Sequence, residues 1–205
     1  MTGHKYRGRV KRIAIIGGIG AGKTAVTNRL ASLGFSVVDA DEAARRVVEK
    51  GKPAWRALRD AFGTAVLTPE GDIDRKFLSD VVFHDASALR RLNHITHGYI
   101  GVELDEEVRA ASGESVFIAI PLFMPEHRAA LALDEVWAVL ADPATEIARL
   151  TNLRGFSEDD ARARLAAQMG DDERAALADR VIWNEGTLED LYARVDEALA
   201  DLVTQ

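Results

Sequence analysis

The run Gly17-Gly18-Ile19-Gly20-Ala21-Gly22-Lys23-Thr24 fits the spacing G-x-x-x-x-G-K-[ST]. Each part of that spacing has a physical job. Glycines let backbone N–H groups approach phosphate oxygens with no Cβ in the way. A helix starting at such a loop turns its positive end toward the same anion. Lys23 supplies a mobile cation for β- and γ-phosphates, and the Thr24 hydroxyl suits Mg²⁺. At average residue frequencies a chance match arises on the order of once in a hundred chains of this length. An apolar run before the motif and a helical pattern after it narrow the reading to a nucleoside triphosphate site.

Two other groups of residues could do chemistry. Asp39-Ala40-Asp41 closes a short apolar run, and ligands of parallel sheets sit beyond the carboxyl ends of strands. One of these carboxylates could take a proton from an acceptor hydroxyl or hold Mg²⁺. Equally, Asp39 could end a strand and Asp41 cap a helix. Arg149, Arg154, Arg162 and Arg164 surround a Gly155-Phe156-Ser157 turn, the composition of a flap that closes over a γ-phosphate. For Arg162 and Arg164 the favoured reading is pairing with Glu158, Asp159 and Asp160. His94 and His97 stand at helical spacing with no third ligand nearby, which favours packing or an acceptor-side role over a metal site. Trp55, Trp137 and Trp183 are scattered and read as core or edge residues.

Positioning these groups requires alternating strands and helices. Val10 to Ile16 reads as a buried strand, Gly22 to Leu33 as a helix, and Phe35 to Val38 as a second strand. A polar helix then runs to Lys50. Residues 53–111 are mostly helical, with a turn at Thr68-Pro69-Glu70-Gly71-Asp72 and a helical period through Leu89, Leu92, Ile95 and Ile100 that Gly98 interrupts. Val116 to Ile120, Glu135 to Ala141 and Arg180 to Trp183 read as three more strands. Asp142-Pro143, Ser157-x-x-Asp160 and Thr187-x-x-Asp190 open helices. No tight hairpin signal joins any strand pair, so a parallel sheet covered on both faces is expected.

Composition sets the outer limits. The 205 residues are 47% hydrophobic and 29% charged, and they include no cysteine. Disulfide frameworks, zinc ribbons, iron–sulfur clusters and thiol nucleophiles are thereby excluded. Net charge is −7, yet five of the 26 basic residues fall within the first twelve positions, where no acid stands. The remaining acidic body is a poor nucleic-acid surface. No apolar run approaches the length of a membrane span.

Taken in order, these residues resemble the dephospho-coenzyme A kinase family from about residue 12 to 200. The likeness is carried by the phosphate loop at 17–24, Val38-Asp39-Ala40-Asp41-Glu42-Ala43-Ala44-Arg45 and Gly71-Asp72-Ile73-Asp74-Arg75. It continues through Ile120-Pro121-Leu122, Arg149 through Gly155, Ala161 through Gln168, and Val181-Ile182-Trp183-Asn184-Glu185-Gly186. It implies a P-loop three-layer α/β fold with a five-stranded parallel sheet formed by 12–50, 113–147 and 176–205. A helical acceptor-binding domain would be inserted at 51–112 and a helical lid at 148–175, with 1–11 left as a basic arm.

The resemblance also implies ATP and Mg²⁺ as cofactors and transfer to the ribose 3′-hydroxyl of dephospho-coenzyme A, giving coenzyme A. The implied catalytic set is Lys23, Asp41 and Arg154, with Asp41 activating the hydroxyl and Arg154 on the lid near the moving phosphoryl group. Gly18, Gly20, Ala21, Gly22, Lys23, Thr24 and Ala25 would hold the phosphates, Asn184 would lie near the adenine, and Thr24 would hold Mg²⁺. Asp39, Arg75, His97 and Arg149 complete the set on the acceptor side. The chain departs from the family pattern at Gly98, where proline usually follows histidine, at Ala119, often an acid, and at Pro125, usually glutamate. Two other readings remain: a related P-loop kinase of another small hydroxyl acceptor, and a non-catalytic ATP-binding paralogue. No Asn-Lys-x-Asp sequence of the guanine-binding type is present. A cytoplasmic monomer or weak oligomer with no nucleic-acid or membrane partner is expected.

Overall fold

A computed structural model describes residues 9–203. Of the expected basic arm, residues 1–8 lie outside the described residues. Its end belongs to the sheet: strand β1 (Lys11–Gly17) takes in Lys11, whose ammonium pairs with Glu135 at 2.8 Å. The Arg9 guanidinium donates to Asp134 at 2.7 Å.

The described residues divide into two compact units, 9–38 with 111–203, and 39–110. The first holds the sheet. After β1 come α1 (Lys23–Ser32) and β2 (Ser36–Asp39), then β3 (Ser115–Ala119) and β4 (Glu135–Leu140). β5 (Arg180–Trp183) completes a five-stranded sheet in the order β2-β3-β1-β4-β5. β1 pairs in parallel with both β3 and β4, with Ile13 opposite Phe117 and Glu135, and β4 pairs in parallel with β5. Residues 13–17 of β1 are buried one after another, as a central strand covered on both faces requires.

Alternation along the strands sorts the core. Ile13, Ile15, Phe117, Trp137, Val139 and Ile182 pack with Val26 and Leu30 of α1 and with Leu191 and Val195 of α10 (Leu188–Val203). Trp137 is fully buried, its indole N–H donating to Glu135 at 2.8 Å. The connections hold α6 (Pro125–Ala130), α7 (Pro143–Arg154), α8 (Glu158–Ala166) and α9 (Asp171–Leu177), the last packing on β4. The capping residues act as their spacing predicts: Asp142, Ser157 and Thr187 accept from the backbone of Ala144, Asp160 and Asp190.

The second unit contains α2 (Ala40–Arg46), α3 (Pro53–Phe62), a 3₁₀ turn at Thr64–Val66, α4 (Arg75–His84) and α5 (Ala86–Ala110). It starts at Asp39 instead of residue 51. The reason is that α2 packs on α5, where Arg46 pairs with Glu103 at 3.0 Å and with Glu107. Val47, Ala54, Leu58, Val66 and Leu78 give the unit its own core.

Gly98 does not interrupt α5, which is continuous from Ala86 to Ala110, and nothing stands within 4 Å of the place its Cβ would occupy. Two opposite effects are therefore expected from urea unfolding of variants at this position. Gly98→Ala should stabilise by about 0.5–1 kcal/mol, since alanine loses less backbone freedom in a helix. Gly98→Pro should destabilise by about 3 kcal/mol, since proline lacks the N–H and clashes with the preceding turn. A proline tolerated without cost would mean that α5 is kinked at this point.

Candidate active site

The phosphate loop joins β1 to α1, and its glycines are required by geometry. Gly22 precedes α1 in a left-handed conformation at φ +105°, and a Cβ there would collide with the Asn184 amide. A Cβ on Gly17 would stand 2.8 Å from the Val139 carbonyl oxygen of the neighbouring strand. Lys23 is half-buried in the first turn of α1, and Thr24 beside it is exposed.

Two side chains hold the loop's carbonyls. The Arg149 guanidinium donates to Gly20 O at 3.1 Å, Ala21 O at 3.4 Å, Asn184 O at 3.0 Å and Asn184 Oδ1 at 3.1 Å. Asn184, only 6% exposed, donates through Nδ2 to Ala21 O at 2.7 Å. Engaging these carbonyls from one side fixes the peptide planes of the loop. Arg149 was expected on the acceptor side and Asn184 near adenine; in the structure both side chains engage the loop backbone.

Three residues meet the loop that sequence reasoning did not single out. A Cβ on Gly18 would lie 3.3 Å from Glu146 Oε1, 3.4 Å from Arg174 Nη1 and 3.5 Å from Gln168 Oε1. The Ile19 amide donates to Gln168 Oε1 at 3.0 Å. Arg174, 7% exposed, is tied to Asp171 and donates to Met169 O at 2.7 Å. Glu146, 3% exposed, has an Oε1 atom with no hydrogen-bond partner. No spacing signal ties these residues to the loop, Gln168 standing only as the end of the 161–168 run, because tertiary docking alone brings them there.

Burial pushes the Glu146 carboxyl up to about 7, with the Asp171 charge adding to the shift and Arg174 and Arg149 opposing it. The folded chain thus holds this proton more tightly than the unfolded chain. The stability this group contributes is present below the ordinary carboxylate range and is lost as pH rises through about 7. Glu146→Gln should remove that loss and stabilise the protein at pH 8 by up to about 3 kcal/mol. Thermal melts at pH 5 and pH 8 check it: a wild-type drop in Tm that persists in the variant would assign the drop to other groups.

The remaining expected site residues divide between the units. Asp39 caps α2, accepting from the Asp41 amide at 2.8 Å and the Glu42 amide at 3.4 Å, and Asp41 is exposed in the first turn of that helix. The cap is thus Asp39, not Asp41. Arg75 opens α4 and donates to Arg45 O at 3.3 Å; His97 is exposed on α5. In the first unit Arg154 ends α7 and is exposed, with Gly155 after it at φ +70°. Arg162 pairs with Glu158, and Arg164 lies over the Phe156 ring at 4.5 Å. Among the described residues no cluster of three or more His, Asp or Glu could hold a metal, and no helix is long and apolar enough to cross a membrane.

Comparison with known proteins places this arrangement. Residues 11–190 match the family model described as dephospho-CoA kinase. The dephospho-CoA kinase of Streptomyces avermitilis is 43% identical over 192 residues, covering 94% of each chain. The crystal structure of TT1252 from Thermus thermophilus is similar at a TM-score of 0.81 and 29% identity, over 95% of this chain and 99% of that one. The dephospho-CoA kinase from Campylobacter jejuni is similar in fold, at a TM-score of 0.68 and 23% identity, over 93% of this chain and 96% of that one.

Proposed function

The chain belongs to the dephospho-CoA kinase family, and from that premise we propose how its residues divide the work of phosphorylating dephospho-coenzyme A to coenzyme A. It is a phosphotransferase with an alcohol group as acceptor, and ATP is the donor. The observation that carries the division is the phosphate loop itself, with left-handed Gly22 and carbonyls engaged by Arg149 and Asn184.

The loop amides from Gly20 to Ala25 bind the β- and γ-phosphates, helped by the positive end of α1. Lys23 stabilises charge on the moving phosphoryl group. Asp41 takes the proton of the ribose 3′-hydroxyl. The 3′-oxygen then bonds to the γ-phosphorus as the bond from that phosphorus to the ADP oxygen breaks. Arg154, beside the Gly155 turn, adds a cation at the transferred group. Asp39 orders the turn that carries Asp41, and Arg75 and His97 hold remote parts of the acceptor, whose binding energy supports orientation. Mg²⁺ fits at Thr24, since an exposed hydroxyl on the first turn of α1 is a hard oxygen ligand. Bound there, the ion would neutralise phosphate charge. The units take the roles of nucleotide core, with residues 148–175 as lid, and of acceptor domain. The enzyme works in the cytoplasm as a monomer or weak oligomer, without nucleic acid or membrane.

The test is ADP release at fixed Mg·ATP with dephospho-coenzyme A, AMP, adenosine and no acceptor. Dephospho-coenzyme A should stimulate far more than the others, because most of its contacts lie away from the reacting oxygen. ATP binding without stimulation would make the chain a non-catalytic paralogue. Stronger stimulation by an unrelated hydroxyl compound would make it a kinase of that compound.

A further inference from the structure

We propose that Gln168 is a further catalytic residue: its carboxamide, anchored through Oε1 on the Ile19 amide, donates its Nε2 hydrogens to the γ-phosphoryl oxygens during transfer, a role that rests on the ATP reading of the phosphate loop. The orientation of the amide follows from chemistry. The Ile19 N–H can only donate, so the atom 3.0 Å from it is the carbonyl oxygen. The Nε2 group, with two hydrogens, then points elsewhere, and no hydrogen-bond acceptor among the described residues takes either of them. Gln168 is half-buried.

The residue is held from both sides. Its own amide donates to Leu165 O at 3.1 Å, at the end of α8. The next residue, Met169, has its carbonyl taken by the buried Arg174 at 2.7 Å. Gln168 also lines two cavities that meet the loop. One, of about 150 Å³, includes Gly17, Pro121, Leu122 and Arg174. The other, of about 130 Å³, includes Gly18 and Glu146. A fixed donor pair attached to the third residue of the motif is what a transferring phosphoryl group uses. Its charge spreads over three equatorial oxygens, and donors already in place need no reorganisation as it moves.

The experiment compares Gln168→Met, which keeps the length but has no amide, with Gln168→Glu, which keeps an acceptor for Ile19 but has no donor. Circular dichroism checks that each folds, and either one alone carries the comparison. Three quantities are read: kcat, affinity for Mg·ADP, and affinity for Mg·ADP with aluminium fluoride, a mimic of the phosphoryl in flight. For Gln168→Met, kcat should fall about 10²-fold, and the fluoride complex should weaken in parallel, with Mg·ADP affinity changed less than about three-fold. Equal weakening of Mg·ADP and its fluoride complex would show a structural role and overturn the proposal. Tighter ATP binding with unchanged kcat would overturn it too, showing that Gln168 merely covers the Ile19 amide until nucleotide displaces it. Calorimetry of ATP on the wild-type protein separates the premise: no binding there removes the phosphate-loop reading, and the proposal with it.

Discussion

Lys23→Ala should lower kcat/KM by at least about 10²-fold, the worth of one preorganised charge at a transition state. Lys23 stands in the first turn of α1, directly after Gly22. The loop amides have no side-chain charge of their own, and Arg149 is engaged with Gly20, Ala21 and Asn184. Arg174 is held by Asp171 and Met169. With both guanidiniums so engaged, neither arginine should replace the charge lost with the Lys23 ammonium. Folding should survive, since the core beneath α1 is Val26 and Leu30. Initial rates at saturating and limiting ATP, with a thermal melt of the variant, give the result. Unchanged turnover would remove the phosphate-loop assignment.

Asp41→Asn is the second large effect. If Asp41 takes the hydroxyl proton, kcat should fall by roughly 10²–10⁴, the usual range for a general base. ATP affinity should hardly move. Its neighbour gives the contrast. Asp39 accepts from two amides at the start of α2, so Asp39→Ala should cost about 1 kcal/mol of stability as a lost helix cap. The pair of variants is read by kcat and by urea unfolding together. Loss of turnover at Asp39 with an active Asp41→Asn protein would exchange the two assignments.

How much of this was legible in the sequence depended on whether the signal was local. The phosphate loop was, because glycine spacing, a preceding buried strand and a following helix all lie within a few tens of residues. The caps at Asp142, Ser157 and Thr187 were legible for the same reason: each side chain bonds an amide two or three residues on. Helix α6 was missed because it has six residues, too few to show a period, and Met124 before it is not a usual capping residue. Helix α9, another short element of seven residues, was not separated from the helical lid expected at 148–175. Gly98 was misread as an interruption. Glycine weakens a helix only modestly, and its neighbours in a 25-residue helix outweigh it. Glu146 and Arg174 carry no pattern along the chain, and Gln168 stands there only as the last residue of the 161–168 run. Their meeting at Gly18 depends on how α7 and the segment after α8 dock on the loop.

The pairing of Lys11 with Ser115 has a consequence for how the protein comes to be folded. On the ribosome β1 emerges early, and its partner β3 emerges only after roughly a hundred further residues, so closing this contact costs chain entropy that grows as the logarithm of that length. Until then β1 presents Ile13-Ala14-Ile15-Ile16 with bare edges, a sequence suited to pairing with the wrong strand. The intervening unit, 39–110, is helical and packs a core from residues close in sequence, so it can condense first and shorten the effective loop. The slow step of refolding should therefore be assembly of β1 with β3 and β4, with the helices formed ahead of it. Newly made chains would be most open to aggregation in the interval before residue 119 has left the ribosome.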